Sequence, residues 1–237
     1  AVFGSCTKIG RADGDEEGHV EVSEAVDRRR SIRQFLPDPV DDALLRSLVE
    51  RAARAPSGGN VQPWRIYLVN GEATVRFKEH VAASDLEAPA YDIYPPGLHE
   101  PYRTNRFTVG EQMYSLLGIP RDDKGARLMQ VAKNYDLFGA PAGMFCFVDR
   151  KMGPPQWSDL GMFLQTFMLL AVEAGLDTCA QESWAMYERA VAEFVGAPLD
   201  DEGIFCGMAI GHRDPDAPVN DLRSERMSVD DFARFVR

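Results

Sequence analysis

The stretch from Ser158 to Leu176, SDLGMFLQTFMLLAVEAGL, constrains the fold more than any other part of the chain. Drawn as a helix, it is apolar on nearly every side, and a helix of this kind must be covered all round by other parts of the protein. Gly175 stands where a glycine commonly ends a helix. The sequence therefore predicts a globular domain built around one fully buried helix.

Helical and strand patterns alternate through the rest of the chain. Ser23 is expected to cap a short helix that carries Val26 inward. Longer helical patterns follow at 44–52, 107–117, 122–135 and 183–196. The short apolar and β-branched segments are typical of buried strands; they are RIYLV, AGMFCFV and GIFCGMAIG.

Neither an internal repeat nor a linker interrupts this alternation, so residues 21–237 are interpreted as a single domain. The pattern favours the α+β or α/β class around one mixed sheet. Residues 1–20 are polar, glycine-rich and without periodicity, which predicts a flexible N-terminal extension.

The formal net charge of −11 argues against a nucleic-acid surface, because phosphate-backbone binding needs clustered cations with few competing acids. No apolar run approaches the roughly 20 residues of a membrane helix, and no secretory signal is evident. The four cysteines and four histidines show no metal-ligand spacing, and the thiols are typical of a reducing compartment. We expect a cytoplasmic protein without a metal.

A cluster of positive charge is unusual in so acidic a chain, yet RRRSIRQF places four arginines within residues 28–33. Arginines near a helix C-terminus stabilise the helix dipole, and a solvated surface would also tolerate them. Ser31 lies inside the cluster, however, and a hydroxyl beside planar guanidinium groups suits a phosphate monoester. A phosphate site and a structural role both remain open on this stretch alone.

Three further stretches contain polar groups in turns. APSGGNVQPW at 55–64 is a tight turn that can reach the edge of a heteroaromatic ring or serve only to connect a helix and a strand. GLDTCAQESWAMY at 175–187 follows the buried helix and presents either a site or a helix cap. IGHRDPDAPVNDLRSER at 210–226 adds Arg223 and Arg226, which either join the first cluster in space or lie on the surface. There is no Walker loop and no dinucleotide fingerprint.

In this order and spacing, the four stretches resemble the nitroreductase family of FMN-dependent flavoenzymes over roughly residues 22–226. YPPGL, PYRTNRFTVGEQMYSLLGIPRDD and TCAQESWA are most similar to the NAD(P)H-dependent nitroaromatic and nitrobenzoate reductases. The resemblance implies a nitroreductase-like α+β fold, in which helices flank a central mixed or antiparallel sheet. It also implies an intertwined homodimer with two FMN sites at the interface.

The resemblance assigns cofactor contacts to three groups of residues. It implies that the phosphate, ribityl chain and pyrimidine edge of FMN are held by Arg29, Arg30, Ser31 and Arg33, with Arg223 and Arg226 completing the phosphate pocket. The other subunit would supply Pro56, Ser57, Gly58 and Asn60. The dimethylbenzene and N5 side would be lined by Ala180, Gln181, Glu182 and Ser183. Ser183 replaces the glycine of the family's Pro-Ile-Glu-Gly motif.

The implied chemistry needs no catalytic side chain. FMN would take a hydride at N5 from NADPH or NADH and then reduce a nitroarene to nitroso and hydroxylamine products in a ping-pong cycle. Residues 85–105 carry four prolines and three tyrosines, which predicts a lid or binding loop. The aromatic rings of this loop either line the acceptor pocket or only pack the lid. They belong to Tyr91, Tyr94 and Tyr102.

Several rival functions remain open. A quinone or flavin reductase of the same family would share every cofactor contact. A halotyrosine deiodinase would use Glu87 and Tyr91 in the lid, although no lysine follows them until Lys124. A flavin-fragmenting enzyme of vitamin B12 synthesis and a flavin-binding module without turnover complete the alternatives.

Overall fold

The computed structural model describes residues 20–237, so the N-terminal extension expected at 1–20 lies outside them except for its last residue. The first helices and strand are α1 (Val22–Arg28), α2 (Asp42–Ala52), β1 (Arg65–Asn70), α3 (Glu72–Ala82), α4 (Tyr102–Leu116) and α5 (Lys124–Ala132). They are followed by β2 (Ala142–Asp149), α6 (Pro154–Glu173), β3 (Asp177–Gln181), α7 (Glu188–Val195), β4 (Glu202–Gly211) and α8 (Val229–Phe232). Short 3-10 helices cover Gly58–Asn60, Lys133–Gly139, Glu182–Tyr187 and Pro218–Asp221.

The four strands form one sheet in the order β1–β2–β4–β3, and every neighbouring pair is antiparallel. A single parallel bridge joins Ser31 to Thr178 at the β3 edge. The central strands β2 and β4 are buried on both faces, which explains their continuous apolar sequences. The α+β class and the antiparallel form of the expected sheet are therefore confirmed.

Helices cover both faces of this sheet. On one face α2 and α6 pack against Met144, Cys146 and Met208, and on the other α3 and α7 pack against Phe145 and Phe147. Successive residues of β2 thus point into different cores, as the two-residue period of a strand requires. The layering makes α6 a central element, but the prediction that it is fully buried was wrong, because Met162 and Gln165 on one side of it are exposed.

Helix α6 ends as its sequence predicts. Gly175 adopts a left-handed conformation with a φ of +77°, and the N–H of Leu176 donates to the carbonyl of Ala171 at 2.8 Å. This pattern returns the chain towards the sheet after the last helical turn. The residues that follow form β3, a strand that the sequence reading did not identify.

Three other predictions on local structure were wrong. The α1 helix has Glu21 as its N-cap, so Ser23 lies inside it, and the buried residue is Ala25 while Val26 is exposed. β1 is an edge strand and only partly buried. The long loop ends at Pro101, because Tyr102 is already the first residue of α4.

The α4 helix is unusual because none of its fifteen residues is buried within the described chain. Across residues 20–237, no helix is both long enough and apolar enough to cross a membrane. The same residues contain no cluster of three or more His, Cys, Asp or Glu side chains that could hold a metal ion.

Candidate functional site

A cavity with a volume of about 560 Å³ brings the first and last motifs of the sequence together. Arginines dominate its wall, and Asp27 is the only acidic residue among the described residues that line it. The arginines are Arg29, Arg30, Arg33, Arg223 and Arg226; Ser31 and Gln165 supply neutral polar groups. We call this space the arginine cavity. It therefore brings together the site residues predicted at both ends of the sequence; they are Arg29, Arg30, Ser31, Arg33, Arg223 and Arg226.

Positive charges outnumber negative charges in the wall of the arginine cavity. Within residues 20–237, none of its five arginines forms an ion pair with a carboxylate. Burial, and then the neighbouring charge of Arg226, lowers the pKa of Arg29. Because like charges repel at short range, this arrangement favours a bound anion.

Asn220 fixes the geometry of the cavity, and the sequence reading missed it. Its buried side chain accepts from the Arg33 backbone N–H at 2.9 Å, while its amide donates to the carbonyls of Gln34 and Asp214. Its own carbonyl accepts from the Arg30 guanidinium at 2.9 Å. One side chain thus holds residues 29–33, which we call the arginine loop, against the segment that follows β4. Nothing in the sequence around Asn220, which directly precedes Asp221 and Leu222, indicates this role.

The third motif lies beside residues 29–33 through β3, although none of its residues lines the arginine cavity. The Ile32 N–H donates to the Thr178 carbonyl at 3.1 Å, so the arginine loop runs beside the first half of this strand. Ala180 and Gln181 end the strand, and Glu182 and Ser183 begin the 3-10 helix. Burial raises the pKa of the Cys179 thiol to about 11, while the positive charge of Arg33 opposes that shift. The two motifs are therefore electrostatic neighbours.

The side chains of 180–183 differ in what they can offer a ligand. Gln181 is buried, and its amide donates to the Asn134 carbonyl at 2.7 Å and accepts from the Trp184 indole at 3.3 Å. Its side chain therefore belongs to the core, and only its backbone can face a ligand. Glu182 is exposed, and the Ser183 hydroxyl is buried without a hydrogen-bond partner among the described residues.

The second motif forms the expected turn but does not line the arginine cavity. The N–H of Gly58 lies 3.3 Å from both carboxylate oxygens of Asp159 on α6, and the Ser57 hydroxyl accepts from the Gln62 N–H at 3.0 Å. Asn60 has a positive φ of 58° and is exposed, as is Pro56. Within one chain these residues are thus held rigidly beside α6 and apart from the arginines.

The beginning of the long loop is attached to the fold by Glu87 and Tyr91. Both carboxylate oxygens of Glu87 accept from N–H groups in the first turn of α7, at 2.9 and 3.0 Å from Arg189 and Ala190. The Tyr91 hydroxyl donates to the Phe205 carbonyl of β4. Burial raises the pKa of Tyr91 well above its usual range. Both side chains are therefore engaged in holding the loop.

The other two tyrosine candidates lie farther along the chain and are exposed. The Arg106 guanidinium sits 4.0 Å above the centre of the Tyr94 ring, a cation–π contact that links the loop to α4. The Tyr102 ring lies 5.3 Å from the imidazole of His99. Neither ring lines the arginine cavity of its own chain.

The residues present fit the cofactor that the sequence resemblance implies. Unpaired arginines with a serine suit the phosphate of FMN, which forms bidentate hydrogen bonds with guanidinium groups. Two buried polar groups, Arg30 Nε and Ser183 Oγ, have no partner among the described residues. Buried polar atoms are usually hydrogen-bonded, so these two favour a polar ligand along the path from the cavity to the end of β3.

Comparison with known proteins identifies the family directly. Residues 26–212 match the model of the Nitroreductase family. A nitrobenzene nitroreductase of Ectopseudomonas oleovorans is 34% identical over 220 residues, which cover 91% of this chain and 96% of the relative. A 4-nitrobenzoate reductase of Pseudomonas putida is 36% identical over 211 residues, covering 88% of this chain and 92% of the relative.

A solved structure is similar over the same length. The FMN- and NADPH-dependent nitroreductase NfnB from Sphigopyxis sp. strain HMH superposes with a TM-score of 0.88 and is 48% identical. The match covers 92% of this chain and all of that one.

Proposed function

Because the chain belongs to the nitroreductase family, we propose that it is an FMN-dependent oxidoreductase that uses NADPH or NADH to reduce nitroaromatic compounds. The observation that carries the proposal is the arginine cavity, whose five cations lack carboxylate partners within residues 20–237. Relatives named for nitrobenzene and 4-nitrobenzoate support the class of acceptor.

The phosphate of FMN would be held by Arg29, Ser31 and Arg226. The charge of Arg33 would lie next to the pyrimidine edge and stabilise negative charge there. Ala180–Ser183 would supply backbone N–H groups at the end of β3. When bound, FMN supplies the chemistry of the reaction: it accepts a hydride from a nicotinamide and returns two electrons to the acceptor.

The rest of the reaction requires positioning by this chain. The loop anchored by Glu87 and Tyr91 would shield the end of β3 from water, because both anchors attach it to α7 and β4. Tyr94 and Tyr102 would offer flat surfaces to an aromatic acceptor. A nitroarene would pass through a nitroso compound to a hydroxylamine, two electrons at a time, in a ping-pong cycle.

We further propose a homodimer in which the turn at Pro56, Ser57, Gly58 and Asn60 completes the cofactor site of the partner. The turn is rigid and exposed yet does not reach the arginines of its own chain. Val22 and Val26 on α1 are 72% and 51% exposed, which is costly for apolar side chains on one helical face. A second copy of the chain would cover them.

The structure disfavours one rival function. A deiodinase would need Glu87 and Tyr91 to bind the charged end of an amino acid, whereas both are engaged by backbone groups of α7 and β4. Quinone reduction would use the same cofactor site as nitroarene reduction, so acceptor kinetics must separate these two.

The deciding experiment is an absorbance spectrum of the purified protein, followed by anaerobic NADPH and then a nitroarene. We expect the two flavin bands, bleaching on NADPH, and recovery on addition of nitrobenzene or 4-nitrobenzoate. A protein that binds FMN but is not reoxidised by nitroarenes would contradict the proposed acceptor. A protein that cannot be loaded with FMN would contradict the whole proposal.

A further inference from the structure

A second cavity, with a volume of about 390 Å³, adjoins the arginine cavity. Arg30 and Arg223 line both spaces. The second one is otherwise formed by the end of α1, the turn between α6 and β3, and the residues after β4. The polar side chains that belong to it alone are Arg28, Asp177, His212 and Arg213. We call it the second anion cavity.

Positive charge exceeds negative charge around this space. Four arginines line it against one carboxylate, Asp177. That carboxylate is already bound in a fork by the guanidinium of Arg213, with one Nε–Oδ2 distance of 2.8 Å. Arg28 pairs with Glu24 at 3.2 Å, but both side chains are about half exposed, so solvent screens the pair. The cavity therefore retains a net positive charge.

Arg30, between the two cavities, shows the effect of this crowding. One of its terminal nitrogens donates to the Asn220 carbonyl, while its Nε is buried without a partner among the described residues. Burial, and then the charges of Arg213 and Arg223, lowers the pKa of Arg30. The charges of Asp177 and Asp221 act against this shift without cancelling it. Arg213 lines the second anion cavity and not the arginine cavity, so its charge acts on Arg30 from the side of the second anion cavity.

We propose that the second anion cavity binds a phosphate group in addition to the phosphate of FMN. Guanidinium groups and an imidazole N–H are suitable donors for such a group, and a phosphate would relieve the repulsion around Arg30. Two sources carry this chemistry, namely the 2′-phosphate of NADPH and free phosphate.

The position of the cavity is compatible with the first source, which rests on the proposed NADPH use. Asp177 begins β3 and Gln181 ends it, so the cavity lies about 13 Å along the strand from the residues assigned to the flavin ring. A dinucleotide is long enough to place its nicotinamide at one end of this strand and its 2′-phosphate at the other.

The test is the double variant Arg28→Gln/His212→Gln in the FMN-loaded protein, because neither residue lines the arginine cavity. Arg46→Gln is the matched control: Arg46 also forms an exposed i,i+4 pair, at 3.4 Å from Glu50, but lies on α2. The measurements are FMN content, kcat/KM for NADPH and for NADH, and calorimetric titration with inorganic phosphate.

If the ligand is the 2′-phosphate, the double variant loses about tenfold in kcat/KM for NADPH and keeps its value for NADH. If it is free phosphate, both kcat/KM values stay unchanged while the calorimetric affinity for inorganic phosphate falls about tenfold. A double variant that matches Arg46→Gln in every measurement overturns the proposal, and so does one that loses FMN, because the cavity would then be part of the flavin site.

These outcomes are distinct from a failure of the proposed function. A wild-type protein that binds FMN but oxidises neither nicotinamide would remove the kinetic comparison, whereas phosphate titration of the same protein would still decide whether the second site exists.

Discussion

At the scale of single residues, the site depends on cations that the protein itself does not neutralise. Surface arginines such as Arg46 and Arg103 have carboxylates within 4 Å, yet Arg29 and Arg226 have none within residues 20–237. Burial lowers the pKa of Arg29 most, and the repulsion between Arg29 and Arg226 lowers it further. Their arrangement is therefore unfavourable for the empty protein and favourable for a complex with an anion.

Substituting Arg29 by alanine should weaken FMN binding about 10- to 100-fold, because a hydrogen bond to a charged group contributes about 1.5–3 kcal/mol. Fluorescence titration of the flavin-free protein with FMN measures the change. Arg46→Ala serves as the control for loss of one positive charge. Unchanged FMN affinity in Arg29→Ala would refute the phosphate assignment, and the unfolding curve of the variant shows whether the fold survives.

At the scale of elements, close packing behind β4 positions the end of β3, where some of the candidate cofactor-binding residues lie. Trp184, directly after Ser183, is fully buried against the rings of Phe77 and Phe145. Its indole lies over Gly207 so closely that a β-carbon there would overlap with it. The end of β3 is therefore positioned from the core side by one tryptophan, and not only by hydrogen bonds within the sheet.

Gly207→Ala should destabilise the protein by about 1–3 kcal/mol or more, because overpacking forces the indole or the strand to move. Gly110→Ala is the matched control: no atom lies within 4 Å of the position where its β-carbon would be, and alanine favours the helix by up to about 1 kcal/mol. Urea unfolding measures both. Equal stability of the two variants would mean that Trp184 does not fix the end of β3.

The sequence predicted those elements whose pattern is local. The apolar period of α2, the run of β2 and the stop at Gly175 were all readable, since each depends on neighbours within a few residues. β3 was missed because it is five residues long and is stabilised by pairing with β4 and with the arginine loop. Asn220 was missed for the same reason, because its partners lie up to 190 positions away.

At the scale of the whole molecule, the described chain leaves apolar surface without a cover. Phe107 on α4 is 49% exposed, and Val22 and Val26 on α1 are more exposed still. Soluble monomers seldom expose contiguous apolar faces, and such faces usually mark contacts with other proteins. A two-fold dimer would cover these faces and bring the turn at Asn60 to a second arginine cavity.

A complementation experiment tests this exchange between subunits. If Asn60 acts in the partner's site, a heterodimer of an Arg29→Ala chain and an Asn60→Asp chain contains one intact site and one doubly altered site. We expect it to retain about one FMN per dimer, whereas each homodimeric variant binds FMN weakly. If Asn60 acts within its own chain, every site of the heterodimer is damaged and FMN content stays as low as in the homodimers.

The contact between Arg30 and Asn220 also determines when the arginine cavity can form during synthesis of the protein. The two residues are 190 positions apart, and Arg226 lies later still. Because a ribosome adds about 5–20 residues per second, the arginine loop waits roughly 10–40 s for its partner segment to be made. A nascent chain therefore lacks the complete arginine cavity until Arg226 has been made, so capture of an anion there would report that synthesis has passed this motif.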